Sequence, residues 1–243
     1  MPEGPSIIIA KEQISPFIGE RILAVAGNSK IDINRAENEK LLDVRTWGKH
    51  LLLCFEGFTF RIHFLLFGTY RINETKTTPL RLGLVFSNGI LNFYTASVKI
   101  LAGDIDSHYD WSADVMNAAW SGSAALDKLR DVSGTLICDA LLEQHIFSGV
   151  GNIIKNEVLY RVHVHPESVV GKIPHSELEA IIEQSRQYSF EFLAYKKAGV
   201  LKKHWLAHTK KTCFRCNLPL HKKYTGNKKR RSFFCTNCQD LYV

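Results

Sequence analysis

Residues 51–62, LLLCFEGFTFRI, decide the fold of the first half of the chain. Apolar and aromatic residues flank the pair Glu56-Gly57, a pattern that predicts two β-strands joined by a tight turn. Residues 83–94 repeat the pattern around a turn at Ser87-Asn88-Gly89, which contains the Asn-Gly signal of a hairpin. Several short strands at this spacing between residues 21 and 103 predict a β-sandwich or a barrel.

Helical patterns flank these strands. Residues 6–17 supply apolar positions until Pro16 and Gly19 end the run, so this helix would hold the N-terminus on a rigid element. A polar segment at residues 104–123 separates the strands from four further helical patterns, at residues 124–130, 135–144, 151–162 and 176–196. We predict an α+β chain of two domains, a helix on a β-sandwich followed by a helical domain with a C-terminal zinc ribbon. The expected segments are residues 1–112, 124–200 and 201–243.

Composition limits the partners and the location. The chain has 243 residues, 45% of them hydrophobic, and a net charge of +7, which favours nucleic acid or an acidic membrane surface as partner. No run approaches the roughly 18 consecutive apolar residues of a membrane span, and the N-terminus lacks the pattern of a signal peptide. We therefore expect a cytoplasmic protein, associated with the nucleoid if it is bacterial, in which disulfides are not formed.

Four of the six cysteines form two knuckles near the C-terminus. Cys213-Phe-Arg-Cys216 and Cys235-Thr-Asn-Cys238 are separated by eighteen residues, a spacing that matches a four-thiolate zinc site. Four thiolates fill a tetrahedral zinc ion, so we expect one structural Zn²⁺ that holds a two-hairpin ribbon. The basic loop KKRR at residues 228–231 lies between the knuckles, where it could meet phosphates or serve only as a solvated patch.

The first three residues, Met1-Pro2-Glu3, carry a possible nucleophile. Removal of Met1 would leave proline with a free secondary amine, and an α-amino group titrates near pH 8, at about 7.7–8.0. A neutral amine can attack a sugar carbon and form a Schiff base, and the carboxyl of Glu3 could move protons beside it. Pro2 could equally be an inert start of the chain.

Three internal motifs are consistent with DNA binding. Gly149-Val150-Gly151-Asn152 precedes a helix, where backbone N–H groups and the helix dipole favour phosphate. Lys49 precedes a strand, and exposed Leu66 and Phe67 at the end of another strand could fill a gap in a base stack. Each motif also has an ordinary explanation. The Gly149–Asn152 segment could be a plain helix–helix turn, Lys49 a surface cation, and Leu66 with Phe67 part of the strand core.

Together these motifs resemble the Fpg/Nei family of DNA glycosylase/AP lyases over essentially the whole chain. The resemblance rests on Pro2-Glu3-Gly4-Pro5, Gly48-Lys49, His63 with Leu66-Phe67-Gly68, and Gly149–Asn152 with Glu157 and His165-Pro166-Glu167. It ends in the four-Cys finger, with Arg230 five residues before Cys235. Gly4-Pro5 is more similar to the endonuclease VIII branch than to the formamidopyrimidine branch.

The resemblance implies a helix–two-turn–helix domain and a base-excision-repair enzyme that acts on double-stranded damaged DNA as a monomer, without a membrane. Pro2 would attack C1′ of the damaged nucleotide, Glu3 would move protons, and Lys49 would bind a flanking phosphate and assist catalysis. Asn152, Arg230 and His63 would grip the DNA backbone, and Arg230 would assist the later elimination. The residues that fill the space of the flipped base would be Leu65, Leu66 and Phe67.

The chain departs from the family pattern at three places. Ser6 stands where the family usually has a glutamate that helps to build the base pocket, a departure that bears on base excision, or on the preferred lesion, more than on lyase chemistry. Leu65, Leu66 and Phe67 are less polar than the endonuclease VIII set. Arg230 is preferred over Arg231 by its distance to Cys235 alone.

The leading hypothesis is a bifunctional glycosylase/AP lyase that excises oxidised bases, pyrimidines before 8-oxoguanine, and cuts by β,δ-elimination. Alternatives are a formamidopyrimidine-type glycosylase, a binder of damaged or abasic DNA that has lost base excision through Ser6, and a zinc-ribbon nucleic-acid adaptor unrelated to repair.

Overall fold

The computed structural model describes residues 2–243. Backbone contacts divide the chain into two units, the first ending at Asp110 and the second spanning Trp111–Val243. The division falls within the polar segment that follows the strands, and the Cys-bearing tail lies in the same unit as the helices. A separate third domain at residues 201–243 stays a prediction.

The first unit begins with helix α1 (Gly4–Ile14), two residues earlier than predicted. Glu3 is its extended N-cap residue, and Pro5 occupies the first turn, where a missing N–H costs nothing. Ile7, Ala10 and Ile14 are buried along one face of the helix. A fully buried apolar side chain contributes about 1.5–3 kcal/mol, so this face fixes where the helix begins and therefore where Glu3 lies.

Six strands follow α1 and form one antiparallel sheet in the order β1-β5-β6-β4-β3-β2. The predicted hairpins are both present, with two-residue turns at Glu56-Gly57 and at Ser87-Asn88. The strands are β1 (Ile22–Ala26), β2 (Asp43–Trp47), β3 (His50–Phe55), β4 (Phe58–Ile72), β5 (Leu80–Phe86) and β6 (Gly89–Ala102).

A break in the pairing of the two long strands turns this sheet into a sandwich. β4 pairs with β6 from Phe58 to Phe64 and again from Thr69 to Ile72, with a register shift between these segments. The first segment of β4 also pairs with β3, whereas the end of β6 that faces the second segment pairs with β5. Each long strand therefore contributes to both layers, and the apolar side chains of both layers and of α1 form one core.

The second unit is helical, as predicted. Its helices are α2 (Gly122–Asp131), α3 (Ile137–Ala140), α4 (Asn152–Arg161) and α5 (His175–Lys197). The prediction of a helix over residues 135–144 was wrong in length, since α3 has four residues and turns occupy the rest of that segment. Buried side chains of α2, α3, α4 and α5 form a second core.

The unit ends in the predicted ribbon. Strands β7 (His221–Thr225) and β8 (Arg230–Phe234) form an antiparallel hairpin, and a bridge between Thr212 and Pro219 closes a second, smaller hairpin around the first Cys knuckle. The ribbon has a small apolar cluster of its own, in which Cys213, Cys235 and Phe233 pack with Tyr160 of α4. These features confirm the α+β class, the sandwich, the helical domain and the ribbon architecture.

Candidate nucleic-acid interface and metal site

Pro2 and Glu3 lie directly before α1. Pro2 is half-buried, and Glu3 is 4% exposed. The backbone carbonyl of Glu3 accepts the N–H of Ser6 at 2.8 Å, which fixes the backbone of Glu3 in the first helical turn. Met1, which the sequence predicts to be removed, lies outside the described residues. The fold thus holds a buried carboxyl beside the predicted nucleophile.

Lys49 lies in the two-residue turn between β2 and β3. Gly48 has a φ of +51°, a left-handed conformation that glycine adopts without strain, and Trp47 pairs with His50 across the turn. On the neighbouring strand His63 lies directly opposite His50 in the β3–β4 register. The hairpin therefore brings Lys49 and His63, which are fourteen positions apart in sequence, to the same end of the sheet.

The charges around these residues are positive. Burial lowers the pKa of His63, and the cationic Lys49 and Arg61 lower it further. For His50, burial together with Arg61, His63, Lys49 and Lys99 lowers the pKa to about 3. Both imidazoles are therefore neutral at pH 7, and the field at this end of the sheet comes from lysine and arginine, as phosphate binding requires.

An aromatic cluster that the sequence did not predict supports the Lys49 turn. The Tyr109 hydroxyl lies 3.2 Å from Nδ1 of His50, and the Trp47 ring centroid is 4.9 Å from that of Tyr109. The Trp47 indole N–H donates to the carbonyl of Asp110 at 2.9 Å. These contacts link β2 and β3 to residues about 60 positions away, which hydrophobic periodicity does not show.

Leu65, Leu66 and Phe67 lie where β4 loses its register with β6. They are 44%, 55% and 77% exposed. The sequence placed them at a strand end, but they occupy an outward bulge in the middle of a long strand. Gly68 allows the bulge, since a Cβ there would lie 2.8 Å from the Thr95 carbonyl oxygen. Three adjacent apolar side chains are thus presented to solvent within a long strand.

In the second unit, the Gly149–Asn152 motif forms a tight turn before α4. Gly149 has a φ of +97°, and its N–H donates to the side-chain oxygen of Gln144 at 3.2 Å. The Gln144 amide donates in turn to the carbonyls of Leu142 and Val150. Gln144 therefore fixes the turn from within, and Asn152 becomes the first residue of α4.

Side chains of α4 satisfy the free edge of β8. The Asn152 amide donates to the Arg231 carbonyl at 3.0 Å, and the Asn156 carbonyl oxygen accepts the N–H of Phe233 at 3.2 Å. Lys155 is fully buried, and its ammonium donates to the Ser232 hydroxyl at 2.8 Å. The predicted DNA ligand Asn152 therefore contacts the residue that follows Arg230 in β8, and it has a structural role that the sequence did not predict.

Arg230 begins β8 and pairs with Thr225 where the hairpin turn closes. Arg231, the alternative, points to the other face, where its guanidinium donates to the Tyr224 hydroxyl at 2.8 Å and packs over that ring. The two arginines of the basic loop therefore have different surroundings. Arg231 is engaged within the hairpin, while Arg230 lies beside the turn.

Glu157, a residue of the family pattern, is fully buried in α4. Its carboxylate accepts the backbone N–H groups of Leu206, Ala207 and His208 at 2.7–3.0 Å. Hydrogen bonds to a charged acceptor contribute about 1.5–3 kcal/mol each, so Glu157 anchors the segment that leads into the ribbon.

The four predicted metal ligands, Cys213, Cys216, Cys235 and Cys238, have their sulfur atoms within 4.8 Å of one another. The Cys213–Cys238 and Cys216–Cys235 sulfur pairs are 3.9 Å and 3.5 Å apart. A tetrahedral zinc ion with Zn–S bonds of about 2.3 Å places its sulfurs about 3.8 Å apart, so the geometry fits Zn²⁺. Tyr160 places its hydroxyl 3.1 Å from the Cys213 sulfur.

Within residues 2–243, no helix combines the length and the apolar composition that a bilayer span requires.

Comparisons with known proteins agree with this architecture. The sequence model of the family described as Formamidopyrimidine-DNA glycosylase H2TH domain matches residues 116–201. The chain is 26% identical to Endonuclease 8-like 3 of Xenopus laevis, over 90% of this chain and 38% of that protein. It is 25% identical to Endonuclease 8-like 2 of Bos taurus, over 98% of this chain and 96% of that protein.

Among solved structures, the chain superposes with a TM-score of 0.87 on Lactococcus lactis formamidopyrimidine DNA glycosylase bound noncovalently to DNA that contains an AP site. The identity is 18%, and the match covers 98% of this chain and 99% of that one. The chain therefore has the fold of the Fpg-type glycosylases.

The sequence matches point the same way. The chain is similar to endonuclease 8-like proteins and, over residues 116–201, to the H2TH domain of formamidopyrimidine-DNA glycosylases. It spans little more than a third of the length of the Xenopus relative.

Proposed function

We propose that the protein is a DNA glycosylase with AP lyase activity that removes oxidised bases, pyrimidines in preference to 8-oxoguanine. The observation that carries the proposal is the position of Glu3. Glu3, which is 4% exposed, directly follows Pro2 and is the N-cap residue of a helix packed into the core. A buried carboxyl beside an N-terminal amine is the pair that Schiff-base formation and proton transfer require.

The chemistry begins at the Pro2 nitrogen, once Met1 has been removed. The nitrogen forms a bond to C1′ of the damaged nucleotide while the glycosidic bond breaks, and the base leaves with a proton. Glu3 supplies and accepts protons as the sugar ring opens and the iminium forms. The iminium acidifies the C2′ proton, whose loss expels the 3′ phosphate. A second elimination expels the 5′ phosphate and leaves a one-nucleotide gap.

The remaining residues of the first unit hold the substrate. Lys49 would bind a phosphate that flanks the lesion, and neutral His63 would donate or accept a hydrogen bond there. Leu65, Leu66 and Phe67 would occupy the space of the flipped nucleotide. Unstacking a base costs a few kcal/mol, and apolar side chains inserted into the stack offset part of that cost.

The second unit would supply the remaining backbone contacts. Arg230, beside the hairpin turn, would bind phosphate and assist elimination, and the start of α4 at Asn152 would contribute N–H donors. Zn²⁺ held by the four cysteines would have a structural role, since four thiolates leave no coordination position for substrate. Double-stranded DNA would be the partner, and the protein would act as a monomer.

The test is incision of duplexes that each carry one oxidised base, with the ends of the product identified. The proposal predicts cutting at oxidised pyrimidines with phosphate at both new ends, and less cutting at 8-oxoguanine. Preferred cutting at 8-oxoguanine or formamidopyrimidine would instead support the formamidopyrimidine-type activity.

Ser6 favours a second candidate, a protein that binds damaged or abasic DNA without excising bases. Ser6 lies in the first turns of α1, where the family usually has a glutamate. Turnover separates the two functions, because a binder retards DNA in a gel but produces no cut strand. A zinc-ribbon adaptor would bind nucleic acid equally well without residues 1–110, which a truncation tests.

A further inference from the structure

A buried carboxylate of the helical core holds the tip of the zinc-ribbon hairpin. The tip comprises residues 226–229, between β7 and β8. Asp139 of α3 accepts the backbone N–H of Asn227 at 2.6 Å through Oδ2 and that of Lys228 at 3.2 Å through Oδ1. Asp139 is 88 positions before Asn227 in the sequence and 4% exposed. Both of its oxygens therefore bind the turn itself.

The first residue of the tip is shaped for this carboxylate. Gly226 has a φ of +68°, and a Cβ at that position would lie 2.3 Å and 2.4 Å from the two oxygens of Asp139. Real Cβ atoms do not approach so closely, and the strained backbone also favours glycine. The contact between carboxylate and turn thus depends on residues of both segments.

Asp139 is itself held in place. The N–H groups of its neighbours Ile137 and Cys138 donate to the carbonyls of Ser168 and Pro166, at 2.9 Å and 3.2 Å. Four residues further on, past the end of α3, Glu143 pairs with the Lys228 ammonium at 2.8 Å. The turn is therefore docked on a fixed element by two backbone hydrogen bonds and one ion pair.

The buried carboxylate of Asp139 lies beneath a strongly basic segment. Residues 228–231 are four consecutive cations, the feature that suits this hairpin to DNA phosphates. A solvent-exposed carboxylate among them would repel DNA. Because the turn covers Asp139, its charge is directed at backbone N–H groups, and it can orient the basic tip without facing the DNA.

We propose that Asp139 is a positioning residue for DNA binding, which sets the hairpin tip so that Arg230, the next residue, meets a phosphate. The role rests on the proposed function. Arg230 pairs with Thr225 at the base of the turn, so a turn released from Asp139 would leave the direction of the Arg230 side chain undefined. Loss of the Asp139 carboxylate would therefore weaken DNA binding through the Arg230–phosphate contact, not through zinc binding.

The experiment measures DNA affinity against salt concentration for the full chain with bound zinc and several variants. Asp139→Ala and Arg230→Ala should each lower the slope of log affinity against log salt by about one, the effect of losing one phosphate contact. Each should weaken binding by roughly tenfold at moderate salt. Asp139→Asn keeps the shape of the side chain and should give a smaller loss. Asp127→Asn, an exposed carboxylate of α2, is the matched control and should bind as the wild type does.

The double variant Asp139→Ala/Arg230→Ala tests whether Asp139 affects DNA affinity through Arg230. If Asp139 acts through Arg230, the double variant binds no more weakly than Arg230→Ala, whereas additive losses would overturn the proposal. Zinc content should be unchanged in every variant, and hydrogen exchange at the N–H groups of Asn227 and Lys228 should be faster in Asp139→Ala. Slow exchange there would also overturn it.

The outcomes separate this inference from the proposed function. Wild-type protein that binds DNA, with an unchanged salt slope in both Asp139 variants, would overturn the role of Asp139 alone. Wild-type protein that fails to bind damaged duplex DNA would overturn the proposed function and this role with it.

Discussion

The side-chain amide of Asn152 donates a 3.0 Å hydrogen bond to the backbone carbonyl of Arg231. The first residue of α4 is thus bonded to the strand that carries the basic residues of the ribbon. The hydrogen bond crosses 79 positions of sequence and joins two motifs that the sequence indicates separately. The Gly149–Asn152 turn and the ribbon are therefore bonded to each other. Substitutions at the start of α4 should change the stability of the ribbon.

We predict that Asn152→Ala destabilises the second unit modestly. The Arg231 carbonyl keeps a longer contact with the Asn156 amide at 3.3 Å, so the loss should be about 0.5–1.5 kcal/mol, the net contribution of one hydrogen bond. Asn156→Ala removes the acceptor for the Phe233 N–H as well and should cost more. Urea unfolding of the two variants measures the difference, and an Asn152→Ala loss equal to or above that of Asn156→Ala would contradict this description of the strand edge.

Tyr160→Phe should weaken zinc retention without unfolding the protein. The buried Tyr160 hydroxyl lies 3.1 Å from the Cys213 sulfur, and groups that hydrogen-bond to metal ligands commonly contribute 10- to 100-fold in metal affinity. We expect zinc release to a chelator to be about tenfold faster. Tyr195→Phe, in which the ring stacks on His204, is the control and should release zinc at the wild-type rate. Equal rates of zinc release from the two variants would show that the Tyr160 hydroxyl does not stabilise the metal site.

Phe67→Ala and Leu66→Ala should reduce incision of damaged duplexes while leaving stability nearly unchanged. Both side chains are more than half exposed, so truncation opens no cavity in the core. Leu23→Ala in β1 is the matched control, since Leu23 is 54% exposed and lies in another strand of the sheet. Incision by the bulge variants at the rate of the Leu23→Ala protein would show that the bulge does not contact the DNA stack.

His50 should make the first unit less stable as the pH falls from about 6.5 towards 3. Its pKa is lowered to about 3 by burial first and then by the neighbouring Arg61, His63, Lys49 and Lys99, so the unfolded chain takes up a proton in this range and the folded chain does not. The free energy of unfolding should fall by up to about 1.4 kcal/mol per pH unit. His50→Gln should show a flatter dependence in denaturant unfolding between pH 6.5 and pH 4. The same slope in both proteins would contradict a neutral buried His50.

The two hairpins of the sandwich and most of the helices could be predicted because their signals are local. Alternating or continuous apolar runs around Glu56-Gly57 and Ser87-Asn88 fix strands and turns within a dozen residues. The prediction of a single helix at residues 135–144 was wrong because the apolar residues at helical spacing there belong partly to the short α3 and partly to the turns around Gln144. The four cysteines were predictable because knuckle spacing reflects metal geometry directly.

The supporting contacts of the site could not be predicted in the same way. Asp139 and Lys155 act on partners 88 and 77 positions away, and their types alone do not distinguish a surface charge from a buried one. The bulge at Leu65, Leu66 and Phe67 also escaped prediction as a mid-strand feature, because it depends on where β6 loses register with β4. Tertiary pairing, not local pattern, decides these positions.

The most direct test is borohydride trapping on a duplex with one abasic site, with the N-terminus of the same sample determined by mass spectrometry. We predict a covalent protein–DNA adduct that maps to Pro2, and its loss in Pro2→Gly with DNA affinity largely retained. Protein confirmed to begin at Pro2 that binds the duplex but yields no adduct would contradict the amine mechanism and favour the damaged-DNA binder.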